Sequence, residues 1–68
     1  MNEIEITGEY IKLYQALKLS GIAQTGGHAK IMVGGGQVRV NGEQCLTRGK
    51  KLRRGDRICV DGEEFVII

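Results

Sequence analysis

The feature that most constrains the fold is a change in the spacing of apolar residues at three consecutive glycines, Gly34-Gly35-Gly36. Before these glycines, apolar residues recur every three or four positions, which is typical of helices that bury one face. After them, apolar and polar residues alternate, which is typical of half-buried strands. We therefore expect an α+β fold in which two short helices pack on a small, mostly antiparallel sheet.

The first half of the chain predicts two helices after a short edge strand around Ile4 and Ile6. An amphipathic helix of about three turns is expected over residues 9–19 and ends at Ser20-Gly21. Thr25 is a suitable N-cap for a second, shorter helix that ends in the three glycines. The apolar stripe of this second helix consists of Ala29, Met32 and Val33.

The second half predicts strands over residues 37–40, 43–46, 57–60 and 63–68. Asn41-Gly42 and Asp61-Gly62 are expected to form two-residue hairpin turns, because a type I′ turn needs positive φ at both positions. Residues 48–54 are expected to form a basic excursion with little apolar content. Cys45 and Cys59 are interpreted as small buried apolar side chains in strands.

Length and composition indicate one small folded domain. The 68 residues fit a single domain over residues 1–68. The chain is 41% hydrophobic and 26% charged, which is ordinary for a folded domain. No apolar run is long enough for a membrane span, and the N-terminus lacks a secretory pattern. With only two cysteines, a cytoplasmic location without membrane partners is expected.

The net charge of +2 conceals a strong segregation of charge along the chain. All ten lysines and arginines lie within residues 10–57, where Glu43 and Asp56 are the only acids, so this block carries +8. Residues 1–9 and 58–68 each carry −3. The basic excursion is the densest part of the block and predicts a surface that binds polyanions, although a solvated loop has the same composition.

No group of residues in the sequence predicts catalysis. His28 is the only histidine and falls in the first turn of a predicted helix, where a donor or acceptor role is favoured over catalysis. The glycines do not have the spacing of a nucleotide-binding motif, and two cysteines with one histidine do not predict a zinc site. We therefore expect no enzyme, no cofactor and no small-molecule substrate.

The start of the second helix is a candidate anion site, because the first N–H groups of a helix lack partners and carry partial positive charge. Gly26 and Gly27 leave the backbone accessible to a phosphate. Aromatic residues are few: Tyr10, Tyr14 and Phe65 are all expected to face the core. Base stacking is therefore not expected to be the main mode, and recognition of backbone, shape and charge fits better.

Five motifs in order resemble the S4 RNA-binding domain family over residues 10–61. They are Lys12-Leu13, Leu17-Lys18-Leu19-Ser20-Gly21, Thr25 to Lys30, Gly36 to Gly42 and Gly55-Asp56. The chain is most similar to the small stand-alone bacterial members, often called YaaA-like or YbcJ-like. It departs from many family members at Tyr14, where they have Asp, and at Gly26, where they have Arg or Lys.

The resemblance implies an S4-like (αL) fold and binding of structured RNA, either ribosomal or transfer RNA. It implies contacts from the start of the second helix and from the following basic strand and loop. With the cationic residues already noted, the candidate RNA-binding residues are Lys12, Lys18, Thr25, Gly26, Gly27, His28, Lys30, Arg39, Asn41, Arg48, Lys50, Lys51, Arg53 and Arg54. The alternative is a protein-interaction adaptor whose basic face docks on an acidic partner. In that alternative, the acidic termini or the strand at 63–68 pair with another chain.

Overall fold

The architecture is that of a computed structural model that describes residues 2–68. Its elements in chain order are β1 (Asn2–Ile4), β2 (Ile11–Lys12), α1 (Leu13–Leu19), α2 (Gly26–Gly34), β3 (Val38–Val40), β4 (Glu43–Gln44), β5 (Lys51–Leu52), β6 (Arg57–Val60) and β7 (Glu63–Ile67). The predicted α+β class is confirmed. No helix within residues 2–68 is long and apolar enough to cross a membrane.

Five of the strands form one sheet in the order β1-β7-β6-β3-β4, and β2 pairs with β5 in a separate two-stranded ribbon. Every pairing is antiparallel except that of β1 with β7. Alternation along the strands places Val38, Val40, Ile58 and Phe65 on the buried face of the sheet. Arg39 lies on the opposite, exposed face.

Both predicted hairpin turns are present. Asn41 and Gly42 have φ of 52° and 85°, and the Asp61-Gly62 turn has the same left-handed conformation. The Asn41 side chain donates to a carboxylate oxygen of Asp56 at 3.1 Å and accepts the Arg57 N–H at 2.9 Å. Asn41 therefore ties its own turn to the Gly55-Asp56 turn.

The second helix is confirmed closely. The Thr25 hydroxyl accepts the His28 N–H at 3.0 Å, as expected of an N-cap. Ala29, Met32 and Val33 are buried, as predicted. This stripe joins a core whose fully buried side chains include Leu13, Leu17, Leu52, Ile58, Ile67, Val33, Val38 and Val60.

The first helix was expected over residues 9–19 and is much shorter, since α1 begins at Leu13. Ile11 and Lys12 are instead extended and pair with Leu52 and Lys51. Tyr10, expected to face the core, is 41% exposed. The apolar residues at positions 11 and 13 fit an extended segment as well as a helix, so local spacing did not decide between the two.

The basic excursion is more ordered than its composition predicts. Leu52 lies within it and is completely buried. The carbonyls of Arg48 and Lys50 accept the N–H groups of Tyr14 and Leu13 at 3.0 and 2.9 Å. Because these N–H groups belong to the first turn of α1, the loop supplies the partners that a helix start otherwise lacks.

Three further expectations about strands are wrong. The strand at 63–68 is not free to pair with another chain, because β7 lies between β1 and β6 and is hydrogen-bonded to both. Cys59 is only half-buried, because it lies opposite Arg39 on the exposed face of the sheet. Cys45 is buried, but it lies just after β4 rather than within a strand.

Replacing Leu52 tests whether the core anchors the basic loop. Leu52→Ala should lower the free energy of unfolding by about 2–5 kcal/mol, because it leaves a cavity under β5. Leu46→Ala is the matched control, since Leu46 is 61% exposed, and should change stability by less than about 0.5 kcal/mol. Urea denaturation followed by circular dichroism measures both. Equal effects of the two substitutions would contradict the anchoring role of Leu52.

Candidate nucleic-acid interface

The starts of both helices and the basic loop meet at an open cleft of about 530 Å³. Its lining residues are Lys12, Tyr14, Gly26, Gly27, Lys30, Arg48 and Gly49. Three of these are cations and none is an acid. The structure thus gathers five of the predicted RNA-binding residues, which come from three separate segments of the chain, around one concave surface.

The position of Arg48 in the cleft follows from the backbone bonds between the loop and α1. The carbonyl of Arg48 is fixed by the Tyr14 N–H at 3.0 Å, so its side chain emerges beside the helix start. The Lys12 N–H is bound by the Gln15 side-chain oxygen at 3.2 Å, which holds the residue that precedes the helix. The two cations are therefore placed by backbone contacts rather than by ion pairs.

The start of α2 offers backbone donors to the cleft. The Thr25 hydroxyl binds the His28 N–H, and the His28 Nδ1 in turn accepts the Gln24 N–H at 3.3 Å. The N–H groups of Gly26 and Gly27 have no acceptor among residues 2–68. Two free donors therefore point out of the helix start, beside the side chain of Lys30 one turn later.

The fold itself does not require glycine at these two positions. A Cβ atom built at Gly26 would meet nothing within 4 Å, and one at Gly27 would meet only the Thr25 hydroxyl oxygen, at 3.8 Å. Neither residue has positive φ. Alanine would fit and would favour the helix, so packing does not account for the two glycines, and their lack of side chains leaves the surface open.

The β2–β5 ribbon extends the basic surface beyond the cleft. Lys12 and Lys51 lie directly opposite each other in the antiparallel register, so their side chains share one face. The ammonium of Lys51 lies 4.9 Å from the centre of the Tyr10 ring, within reach of a cation–π contact. Like charges in such a pair are unfavourable, and an anion between them would relieve the repulsion.

The other predicted residues lie outside the cleft lining. Lys18 is in the last turn of α1, and Arg39 is on the exposed face of the sheet. The Asn41 side chain is hydrogen-bonded to Asp56 and Arg57, as described above. Lys50 and Arg53 are exposed next to β5. A contact between RNA and any of these residues stays a prediction.

The Arg54 side chain is engaged in hydrogen bonds within the protein. Its guanidinium donates to the backbone carbonyls of Ile6 and Gly8, both at 2.9 Å. The two acceptors lie in the segment that joins β1 to β2, 46 to 48 positions earlier in the chain. Arg54 therefore fastens the N-terminal segment to the turn that follows β5.

A second depression, of about 430 Å³, carries the opposite charge. It is lined by Glu3, Glu5 and Glu63 without any basic residue, and it reaches Leu19 and Ser20 at the end of α1. The basic cleft, in contrast, borders the start of the same helix. Because α1 has seven residues and is ~10 Å long, the two charged surfaces lie at its two ends.

Sequence reasoning missed Tyr14 and Gly49 in the cleft and the exposure of Tyr10. Tyr14 was expected in the core, and it is only partly buried there. Its helical spacing gave no sign that its ring also borders the cleft. Gly49 could have been found from its position between two basic residues of the loop.

The S4 domain family model matches residues 4–68, and the chain belongs to that family. The match confirms the predicted resemblance. Because S4 domains bind RNA and are not catalytic, it also confirms the expectation that the chain is not an enzyme. A relative from Bacillus subtilis, "Probable ribosome maturation protein RlbA", is 43% identical over 61 residues. The match covers 90% of this chain and 86% of the relative.

Measurements of stability distinguish a structural role of Arg54 from a role in RNA binding. Arg54→Ala should lower the free energy of unfolding by about 1–3 kcal/mol, because two carbonyls lose a charged donor. Arg53→Ala is the control, because Arg53 is an equally charged neighbour without such side-chain bonds within residues 2–68. Thermal denaturation of the two variants compares them directly. An Arg54 variant as stable as the Arg53 variant would contradict the fastening role.

Proposed function

We propose that the protein is a module that binds structured RNA through phosphates and 2′-hydroxyls, with the basic cleft as its centre. The observation that carries the proposal is the cleft lining. Lys12, Lys30 and Arg48 surround two free backbone donors, and no carboxylate lines the same surface. Such a site matches a phosphate group in both charge and hydrogen bonding.

Recognition of a folded RNA helix fits this surface better than recognition of a DNA duplex. A-form RNA hides its bases in a narrow major groove and presents phosphates and 2′-hydroxyls across a wide, shallow minor groove. A shallow basic cleft without a protruding helix reads such a backbone, whereas major-groove reading of B-DNA requires an inserted helix or ribbon. Membership of the S4 family supports the same preference.

Ribosomal RNA is the proposed target, in the cytoplasm and during assembly of a ribosomal subunit. The support is the name of the Bacillus subtilis relative, a probable ribosome maturation protein. We expect the protein to sediment with ribosomal subunits at low salt and to leave them after ribonuclease treatment. Binding of transfer RNA in preference to ribosomal RNA would redirect the proposal to the other predicted target.

The salt dependence of RNA affinity tests the cleft. Each neutralised phosphate releases counterions, so the logarithm of affinity should fall linearly with that of the salt concentration. Lys30→Ala and Arg48→Ala should each weaken binding of a structured RNA hairpin and lower the slope by about one unit. Fluorescence anisotropy across a salt series, with a matched DNA duplex for comparison, measures both quantities.

Arg57→Ala is the control for this series. Arg57 is paired with Glu64 at 3.4 Å on the sheet, and it does not line the cleft. Its removal should leave the slope unchanged. If all three variants behave alike, binding reflects overall charge and the proposed cleft is wrong. If the parent protein binds RNA and DNA equally, the preference for RNA is wrong.

Substitution of the two glycines tests close approach of the RNA backbone. The double variant Gly26→Ala, Gly27→Ala should be as stable as the parent or more stable by about 0.5–1 kcal/mol, because alanine favours a helix. It should nevertheless bind the RNA hairpin about tenfold more weakly, because the methyl groups block the free N–H donors. Thermal denaturation and anisotropy give the two results on one sample.

Gly34→Ala is the matched control. Gly34 is the last residue of α2, and a Cβ there would also meet nothing within 4 Å. The substitution should favour the helix without changing RNA affinity. Undiminished affinity of the Gly26, Gly27 double variant would show that the RNA backbone does not approach the start of α2.

A further inference from the structure

We propose that Tyr10 is a stacking platform for an unpaired nucleobase, so that the preferred RNA carries a bulged nucleotide beside the helix that fills the cleft. The inference rests on the proposed function, and it adds a structural feature of the target. It adds one stacked base to a binding mode in which base stacking was not expected to be the main contribution. The occupant of the platform is a single nucleobase from the bound RNA.

The exposure of Tyr10 distinguishes it from the two other aromatic residues. Phe65 is 4% exposed and Tyr14 packs against the core, whereas Tyr10 is 41% exposed. Partial exposure is common for tyrosine, so the informative observation is that this ring lies beside the ammonium of Lys51. An exposed aromatic side chain on a basic surface is the arrangement with which proteins hold unstacked bases.

Lys51 places Tyr10 beside the face that leads to the cleft. Ile11 is opposite Leu52, which is completely buried, and packs half-buried against the core. Lys51 shares one face of the ribbon with Lys12, and its ammonium lies 4.9 Å from the centre of the Tyr10 ring. Lys12 lines the cleft, and Lys51 lies across from it. A strand of RNA that crosses the cleft thus continues toward the Tyr10 ring.

In the free protein, the Lys51 ammonium lies over the Tyr10 ring, where a base would stack. The distance from this ammonium to the ring centre is 4.9 Å. An exposed cation–π contact is weaker than a stacked base, and the lysine side chain is flexible. A base can therefore displace the ammonium from the ring, and the ammonium then reaches a phosphate of the same strand. The exchange satisfies both groups without moving the backbone.

The surface around the ring has room for a base. Tyr10 borders an open depression of about 340 Å³ whose other lining residues are the apolar Ile6, Ile11 and Leu19 and the polar Glu5 and Thr7. Leu19 is 61% exposed there. A flat heterocycle can lie on this apolar floor. A base inside an A-form duplex cannot, because its faces are covered by its neighbours, so only an unpaired nucleotide can use the platform.

The test compares two RNA hairpins that differ by one bulged adenosine. The parent protein should bind the bulged hairpin roughly tenfold more tightly, since a base stacked on an aromatic side chain contributes about 5- to 150-fold in affinity. Tyr10→Leu should abolish the preference while keeping the affinity for the plain hairpin. Tyr10→Phe should retain the preference, because the ring is kept. A 2-aminopurine base at the bulge should lose fluorescence on binding to the parent and to Tyr10→Phe only.

Lys51→Ala separates stacking from charge. It should reduce the salt slope by about one unit for both hairpins and keep the preference for the bulge. Tyr10→Leu should leave the salt slope unchanged and abolish the preference for the bulge.

Equal affinity of the parent for the two hairpins would overturn the platform and leave the proposed function intact. Failure to bind either hairpin would overturn the proposed function itself. If Tyr10→Leu weakens binding of both hairpins equally and lowers the melting temperature, Tyr10 is structural and the inference is wrong.

Discussion

The carbonyls of Arg48 and Lys50 accept the first two N–H groups of α1, and much of the basic surface depends on these two hydrogen bonds. They join a loop to a helix start that lies more than 30 positions earlier in the chain. Leu52 continues the attachment into the core, and the β2–β5 pairing completes it. Without this attachment, the basic loop would be a flexible excursion, and the cations would share no surface. Its order comes from backbone bonds and one buried leucine, so its charged side chains remain free for a ligand.

The cleft gathers charge at some cost to stability. Lys12 faces Lys51 across the ribbon, and both lie near the positive end of the α1 dipole. Among residues 2–68, the one ion pair joins Arg57 to Glu64 on the sheet. It involves neither lysine and so does not relieve their repulsion. A bound anion would relieve it, so RNA that binds only the folded state would also stabilise the fold. The repulsion and the proposed function are thus two aspects of the same arrangement of charge.

Local patterns in the sequence were enough for the elements whose ends are set by nearby residues. Thr25 fixes the start of α2, and Asn41 and Asp61 fix their turns, because these residues act on their own backbone. The candidate site was found only in part, through its cations and glycines. The extended conformation of Ile11, the burial of Leu52 and the exposure of Tyr10 depend on contacts between residues about 40 positions apart. Local spacing carries no information about such contacts, and the apolar period around Ile11 is compatible with either a helix or a strand.

The placement of carboxylates at one end of α1 and cations at the other has a consequence for the motion of the whole molecule. The backbone dipole of α1 has the same direction as the charge separation, so the two add. In the field of a polyanion, such a molecule experiences a torque that turns the cleft toward the polyanion before any contact forms. Encounters are then productive more often than random tumbling would allow. Under the proposed function, Glu3 and Glu63 lie at the end of α1 away from the bound phosphates, where they repel any second strand of nucleic acid.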